Sequence, residues 1–277
     1  MIPKYLEIAT IPGGEVNHDT SGVRLNPNLV IWAIDGATAL APSGEDELQK
    51  FVRRVNEEID YSFKDGASLK PLKMLMEKVA DVVWPEFADF PRQLWERPSC
   101  SVALARYDGK SLDYFVLGDV AVIVKNENEI QVLTDPAITV LDKKAIDEKV
   151  NLQKAGMSSR EARAAIQGTL RKHRAMMNTP EGYWIFNGDP VACRNAVSGT
   201  IFLPQGGSVI AATDGFTRLV SMGVYPGWLE VFAALESGES LRSLMLKLRE
   251  AENADPECLE YPRFWIYDDT TAVYAKI

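Results

Sequence analysis

Short segments in which Val, Ile, Phe, Tyr and Trp alternate with polar residues, or follow one another unbroken, recur along the whole chain. They begin with YLEIAT at 5–10, NLVIWAID at 28–35, SCSVALARY at 99–107 and LDYFVLGD at 112–119. β-Branched and aromatic enrichment over segments of this length predicts strands. More follow at VAVIVK (120–125), EIQVLTD (129–135), YWIFN (183–187), GTIFLP (199–204), SVIAATD (208–214) and RFWIYDDTTAVYAKI (263–277). So many strands exceed one small sheet. Turns such as Tyr107-Asp108-Gly109-Lys110 and Lys125-Asn126-Glu127-Asn128 join neighbours directly, which permits antiparallel hairpins and disfavours the helical crossovers of a parallel sheet.

Helical spacing is confined to a few blocks. One is 45–62, and another is 69–88, where Leu72, Leu75, Met76, Val79 and Val82 or Val83 share a face. The stretch at about 142–177 is also helix-prone and contains a capping box, Ser158 with Glu161. Two further helices are predicted near 226–236 and 239–251. Antiparallel strand groups with helices inserted in pairs predict an α+β fold, a four-layer αββα sandwich of two mainly antiparallel β-sheets flanked by helices. With no repeat or low-complexity linker, residues 1–277 read as one domain.

Composition narrows the function. Apolar residues make up 46% of 277 positions, enough for a substantial core, and thirty Lys and Arg against thirty-nine Asp and Glu give a net charge of −9. That charge argues against nucleic-acid binding unless a local patch reverses the sign. No apolar run approaches the roughly 20 residues of a membrane-spanning helix, and the first residues carry no secretory pattern, so a cytoplasmic location is expected. Cys100, Cys193 and Cys258 are widely spaced and read as packing residues. With His18 and His173 the only histidines, few general bases exist for a serine or cysteine nucleophile.

Apolar strands repeatedly end in aspartate: Asp35 after VIWAI, Asp119 after FVLG, Asp214 after VIAAT, and Asp268 and Asp269 after FWIY. Asp-Gly after a strand usually means a hairpin. Yet after Asp35-Gly36 and Asp214-Gly215 no strand follows at once. Adjacent ionised carboxylates between apolar flanks cost several kcal/mol unless compensated. Hard divalent cations such as Mg²⁺ or Mn²⁺ take carboxylate and carbonyl oxygens and need neither histidine nor cysteine. Two such ions polarise a phosphoryl oxygen and activate water, which predicts hydrolysis of a phosphate ester.

The order of these motifs resembles the metal-dependent Ser/Thr protein phosphatases, the protein phosphatase 2C-like or PPM family, over nearly the whole chain. The matching segments are Asn17-His18-Asp19, Asp35-Gly36, Ser99-Cys100-Ser101-Val102, Gly118-Asp119-Val120, Thr213-Asp214-Gly215-Phe216 and Asp268-Asp269-Thr270-Thr271. The resemblance implies a phosphoprotein substrate and two Mn²⁺ or Mg²⁺ ions, with a weaker third. By the same resemblance Asp35 bridges the ions, Gly36 offers its carbonyl, Asp214 and Asp268 complete the cluster, and Asp119 serves the third ion. Asp19 would orient the attacking water.

His18 stands where the family usually has a glutamate ligand. The family's phosphate-binding arginine is replaced by Gly13-Gly14-Glu15, leaving Arg24 as a candidate substitute. Arg218, four residues beyond Asp214, would oppose a third ion or clamp the substrate phosphate. These departures motivate an alternative, a weak or inactive phosphatase-like module that binds a partner. In the family the 142–177 region is often a flap beside the active site. Here Arg160, Arg163, Arg171, Lys172, His173 and Arg174 form a basic helix at 160–174, read either as a solvated face or as a docking surface for the phosphoprotein. Cys100 and Arg106 have the C-x5-R spacing of a cysteine phosphatase, but the residues between them read as apolar strand rather than a phosphate cradle.

Overall fold

A computed structural model describes residues 2–38, 40, 44–64, 70–87, 93–204 and 206–277. Among these, the strands are β1 (Tyr5–Ile11), β2 (Thr20–Arg24), β3 (Leu29–Gly36), β4 (Cys100–Tyr107), β5 (Ser111–Leu117), β6 (Ala121–Asn126), β7 (Glu129–Leu133), β8 (Val197–Phe202), β9 (Ser208–Ala212) and β10 (Thr270–Lys276). They form two antiparallel five-stranded sheets, ordered β1-β10-β9-β6-β7 and β2-β3-β4-β5-β8. Helices α1 (Gly44–Ser62) and α2 (Leu72–Phe87) lie on the second sheet. Helices α7 (Asp214–Ser221), α8 (Trp228–Glu236) and α9 (Leu241–Ala254) lie on the first.

Side-chain parity explains why the strands read as unbroken apolar runs rather than clean alternations. In β3, Leu29, Ile31 and Ala33 enter the core between the sheets, while Val30, Trp32 and Ile34 pack under α1 and α2. In β10, Val273 and Ala275 face the other sheet, while Ala272 and Tyr274 meet the helices of the first. Each central strand is therefore buried on both faces.

Two sequence expectations are corrected, and one strand is added. RFWIY at 263–267 is not strand, and β10 begins only at Thr270, because Trp265 and its neighbours cover the helical insertion instead. YWIFN contributes only isolated bridges, Phe186 to Cys100 and Tyr183 to Met177. Strand β2 was not foreseen, since TSGVR carries one apolar branched residue and Gly22 must lie flat beneath the Trp32 ring, only 2.1 Å from where a Cβ would sit.

The 142–177 region begins earlier, as α3 (Ala137–Lys154), α4 (Ser159–Ala165) and α5 (Gln167–Arg174). The expected capping box opens α4: Glu161 N–H donates to Ser158 Oγ, and Ser158 N–H donates to Glu161 Oε2. A short helix, α6 (Pro190–Arg194), follows.

Candidate metal centre and its acidic cavity

Antiparallel pairing fixes where the aspartates meet. Ala212, at the end of β9, is paired with Ala121 at the start of β6 and with Ala272 near the start of β10. Asp214, Asp119 and Asp268 lie two to four residues outward from those positions, so all three leave the first sheet at the same end. In the second sheet Asp35 is paired with Ser101, and Asp19 immediately precedes β2, whose Thr20 pairs with Ile34. Asp35 shares its parity with Leu29, Ile31 and Ala33, the face turned toward the other sheet. The two sheets thus deliver their acids to one mouth of the sandwich.

Local geometry holds each group. Gly118 has φ +88°, and a Cβ there would stand 2.1 Å from Ser101 Oγ. Only glycine lets the chain turn so that the Ser101 hydroxyl donates to Asp119 at 2.7 Å. Gly36 lies against the His18 carbonyl, which a Cβ would meet at 2.7 Å. The Thr213 hydroxyl donates to Asp19 at 2.8 Å and accepts from the Thr271 N–H at 3.0 Å. Asp214 opens α7, where the positive helix end favours its ionised form.

A cavity of about 170 Å³ lies at this mouth. Its floor includes Asp35, Gly36, Asp119, Asp214 and Asp268, and its wall is the helical insertion with Asp142, His173 and Arg174. Burial pushes the carboxyls of Asp19 and Asp35 well above the ordinary range, with neighbouring aspartates adding to the rise. Asp119 and Asp214 are raised as well, again chiefly by burial. Asp268 is pushed up to about 7 by burial, although Arg218 opposes the shift. Such a cluster holds either protons or cations.

No model of a known protein family matches the sequence, and no curated protein matches it. Solved structures do. The serine/threonine phosphatase of Staphylococcus aureus superposes with a TM-score of 0.63 at 13% identity, over 100% of this chain and 96% of that one. The serine/threonine phosphatase of S. agalactiae gives 0.58 at 16% identity, over 99% of this chain and 100% of that one. A PPM Ser-Thr phosphatase of Mycobacterium smegmatis, in complex with cacodylate, gives 0.55 at 14% identity and 99% of both chains.

The chain has the fold of the PPM phosphatases. The αββα expectation is thereby borne out, including the two antiparallel sheets. Within this PPM fold the donor set suits hard divalent ions in kind: carboxylates from Asp35, Asp119 and Asp214, and the Gly36 carbonyl. His18 joins the cavity with a buried Nε2 that lacks a hydrogen-bond partner, while its Nδ1 stands 4.0 Å from Asp269 Oδ2. Among the described residues no group of three or more His, Cys, Asp or Glu side chains is already gathered in ligating geometry. Asp268 is the clearest reason, because its carboxylate is held by Arg218.

Both arginines expected at the substrate lie elsewhere. Arg24 donates from Nε and Nη2 to Asp60 on α1 at 2.6 and 2.5 Å. Arg218 donates to Asp268 and, at 3.0 Å, to the fully buried Glu252, which also pairs with Arg249. Neither lines the cavity. Asp269 is spent on the backbone, accepting from Gly13 N–H and His18 N–H at 2.7 Å each. The adjacent acids at 268–269 are thus compensated separately, one by a guanidinium and one by two amides.

The basic helix is not a simple solvated face. Arg163 lies 4.7 Å over the Trp265 ring, Arg171 lies 4.5 Å over Trp95, and Arg174 reaches the cavity. Arg160 and Lys172 remain exposed. The cysteine-phosphatase spacing carries no site. Arg106 donates to Asp113 and to the Lys70 carbonyl, and Cys100 is a buried thiol whose pKa burial drives upward. Sequence reasoning named Ser101 and Thr213 only as members of motif segments and Arg174 only as part of the basic helix, and it did not single out Asp142. The hydroxyls of Ser101 and Thr213 act through partners distant in sequence, Asp119 and Asp19. Asp142 does break the apolar sequence AITVL, a signal that was available.

No helix among the described residues is long and apolar enough to cross a membrane.

Proposed function

We propose that the chain is a Mn²⁺- or Mg²⁺-dependent phosphatase that hydrolyses phosphoserine and phosphothreonine esters of proteins. One observation carries the reading. Aspartates from both sheets converge on one cavity where burial makes their ionisation costly, an arrangement that cations relieve and that ordinary packing would not retain. A PPM-fold relative, the catalytic domain of the phosphatase PstP, is described in complex with 2 manganese ions.

In this reading Asp35, Asp214 and the Gly36 carbonyl would hold two ions, His18 and Asp268 would contribute at their margins, and Asp119 would serve a weaker third. When bound, such ions supply positive charge to the phosphoryl oxygens and lower the pKa of water at the site. Asp19, fixed by the Thr213 hydroxyl, would orient the attacking water and receive its proton. Asp119 is fixed in the same way by Ser101. The cavity, at about 170 Å³, is smaller than the ~300–1,000 Å³ of drug-sized sites. It takes a phosphorylated side chain and leaves the rest of a protein substrate at the rim.

The test is release of p-nitrophenol from p-nitrophenyl phosphate with and without Mn²⁺. Turnover that requires the metal and disappears in Asp35→Asn and Asp214→Asn is the expected result. If no metal or pH lifts the wild type above those variants, the chain is instead a binding module on a phosphatase fold.

A further inference from the structure

A phosphate monoester approaching this cavity meets acids on every side: Asp35, Asp119, Asp214 and Asp268 on the floor and Asp142 on the wall. With Arg218 paired to Asp268, two divalent ions would no more than balance the remaining four carboxylates, so a fixed cation is still needed to hold a dianionic group. Arginine suits that task best, because its planar fork binds two phosphate oxygens at once. The N-terminal segment offers Gly13-Gly14-Glu15, and Arg24 and Arg218 are committed to Asp60, Asp268 and Glu252.

Three basic residues of the insertion line the cavity: Arg163, His173 and Arg174. Arg163 is buried beneath Phe264 and Trp265, at 5.6 and 4.7 Å from the ring centroids. Burial lowers the His173 pKa and favours the neutral imidazole. Arg174, the last residue of α5, is different. Its Nη2 donates to the Thr38 carbonyl at 3.2 Å, two residues beyond Gly36, and both residues line the cavity. Arg174 shares that cavity with Asp119 on the floor and Asp142 on the wall. Among the described residues it forms no ion pair with a carboxylate.

We infer that Arg174 is the substrate's phosphate clamp, supplied here by the helical insertion rather than by the N-terminal strand. The inference rests on the phosphatase reading above. It makes substrate affinity depend on how the insertion sits against Thr38, and it assigns the basic helix a role inside the cavity rather than on the outer surface.

The experiment uses the full chain with saturating Mn²⁺ and compares wild type, Arg174→Ala, Arg174→Lys and Lys172→Ala. Lys172 is an exposed control on the same helix. Arg174→Ala should raise KM for p-nitrophenyl phosphate and the inhibition constant of inorganic phosphate together, by roughly ten- to a hundredfold. Arg174→Lys should recover part of both, Lys172→Ala should change neither, and Mn²⁺ affinity should not fall in any of them. An active wild type with the same phosphate inhibition constant in Arg174→Ala overturns the inference and leaves the phosphatase reading intact. If the wild type has no metal-dependent turnover, the phosphatase reading fails. Calorimetric titration of inorganic phosphate into the Mn²⁺-loaded proteins then decides Arg174 by itself: weaker binding in Arg174→Ala upholds it, and equal binding overturns it.

Discussion

Replacing Asp142 with Asn should stabilise the metal-free protein by an amount that grows from about pH 4 and is complete above about pH 7. The carboxyl of Asp142 is raised from 3.8 to about 7, first by burial and then by the charges of Asp119 and Asp214, with Arg174 opposing them. Since the folded state binds this proton more tightly than the unfolded chain, ionisation works against folding. The penalty is absent below pH about 4, grows between about 4 and 7, and is complete above that.

At about 1.4 kcal/mol per pH unit the full effect is about 4 kcal/mol, and solvent screening at a cavity wall reduces it to about 2–4 kcal/mol. Urea unfolding with EDTA, at about pH 4 and about pH 8, measures it directly. Asp142→Asn should match wild type at the lower pH and exceed it by that amount at the higher. Saturating Mn²⁺ should shrink the gain, because cations cancel the field of Asp119 and Asp214. Equal unfolding midpoints at pH about 8 in EDTA would refute the reasoning.

Two further outcomes are expected. Arg218→Met leaves Glu252, fully buried, with Arg249 alone and removes the partner of Asp268; unfolding free energy should fall by about 3 kcal/mol, while Mn²⁺ affinity by calorimetry should rise as Asp268 is released. Gly36→Ala forces a Cβ to within 2.7 Å of the His18 carbonyl; p-nitrophenyl phosphate turnover should drop at least about tenfold, with a stability loss of about 1–3 kcal/mol in urea.

The layered architecture was legible because the central strands are buried on both faces, and such strands are written as continuous apolar runs. Strand β2 was not legible, since its place beside β3 depends on Gly22 lying under Trp32, a contact the sequence does not display. For the site, the strand-terminal aspartates pointed to one end of the sandwich because antiparallel pairing aligns the end of β9 with the starts of β6 and β10.

The pairing of the arginines was not legible. Proximity in sequence to Asp19 and Asp214 suggested that Arg24 and Arg218 would meet the substrate, but Arg24 is paired with Asp60, and Arg218 reaches the site only through Asp268 while its other side holds Glu252. Arg174 was visible only as one charge in a basic helix. What distinguishes it from Arg163 and Arg171 is that those two lie over tryptophans, partners distant in sequence.

The bond from Thr213 to Asp19 joins residues 194 positions apart and ties one sheet to the other at the cavity mouth. A chelating pocket assembled this way does not exist until both halves of the sandwich have docked, so an ion arrives too late to guide the chain toward its native topology. Its effect falls on escape instead. Mn²⁺ should slow unfolding and leave the refolding rate nearly unchanged, which makes the metal a lock on a finished molecule rather than a template for building one.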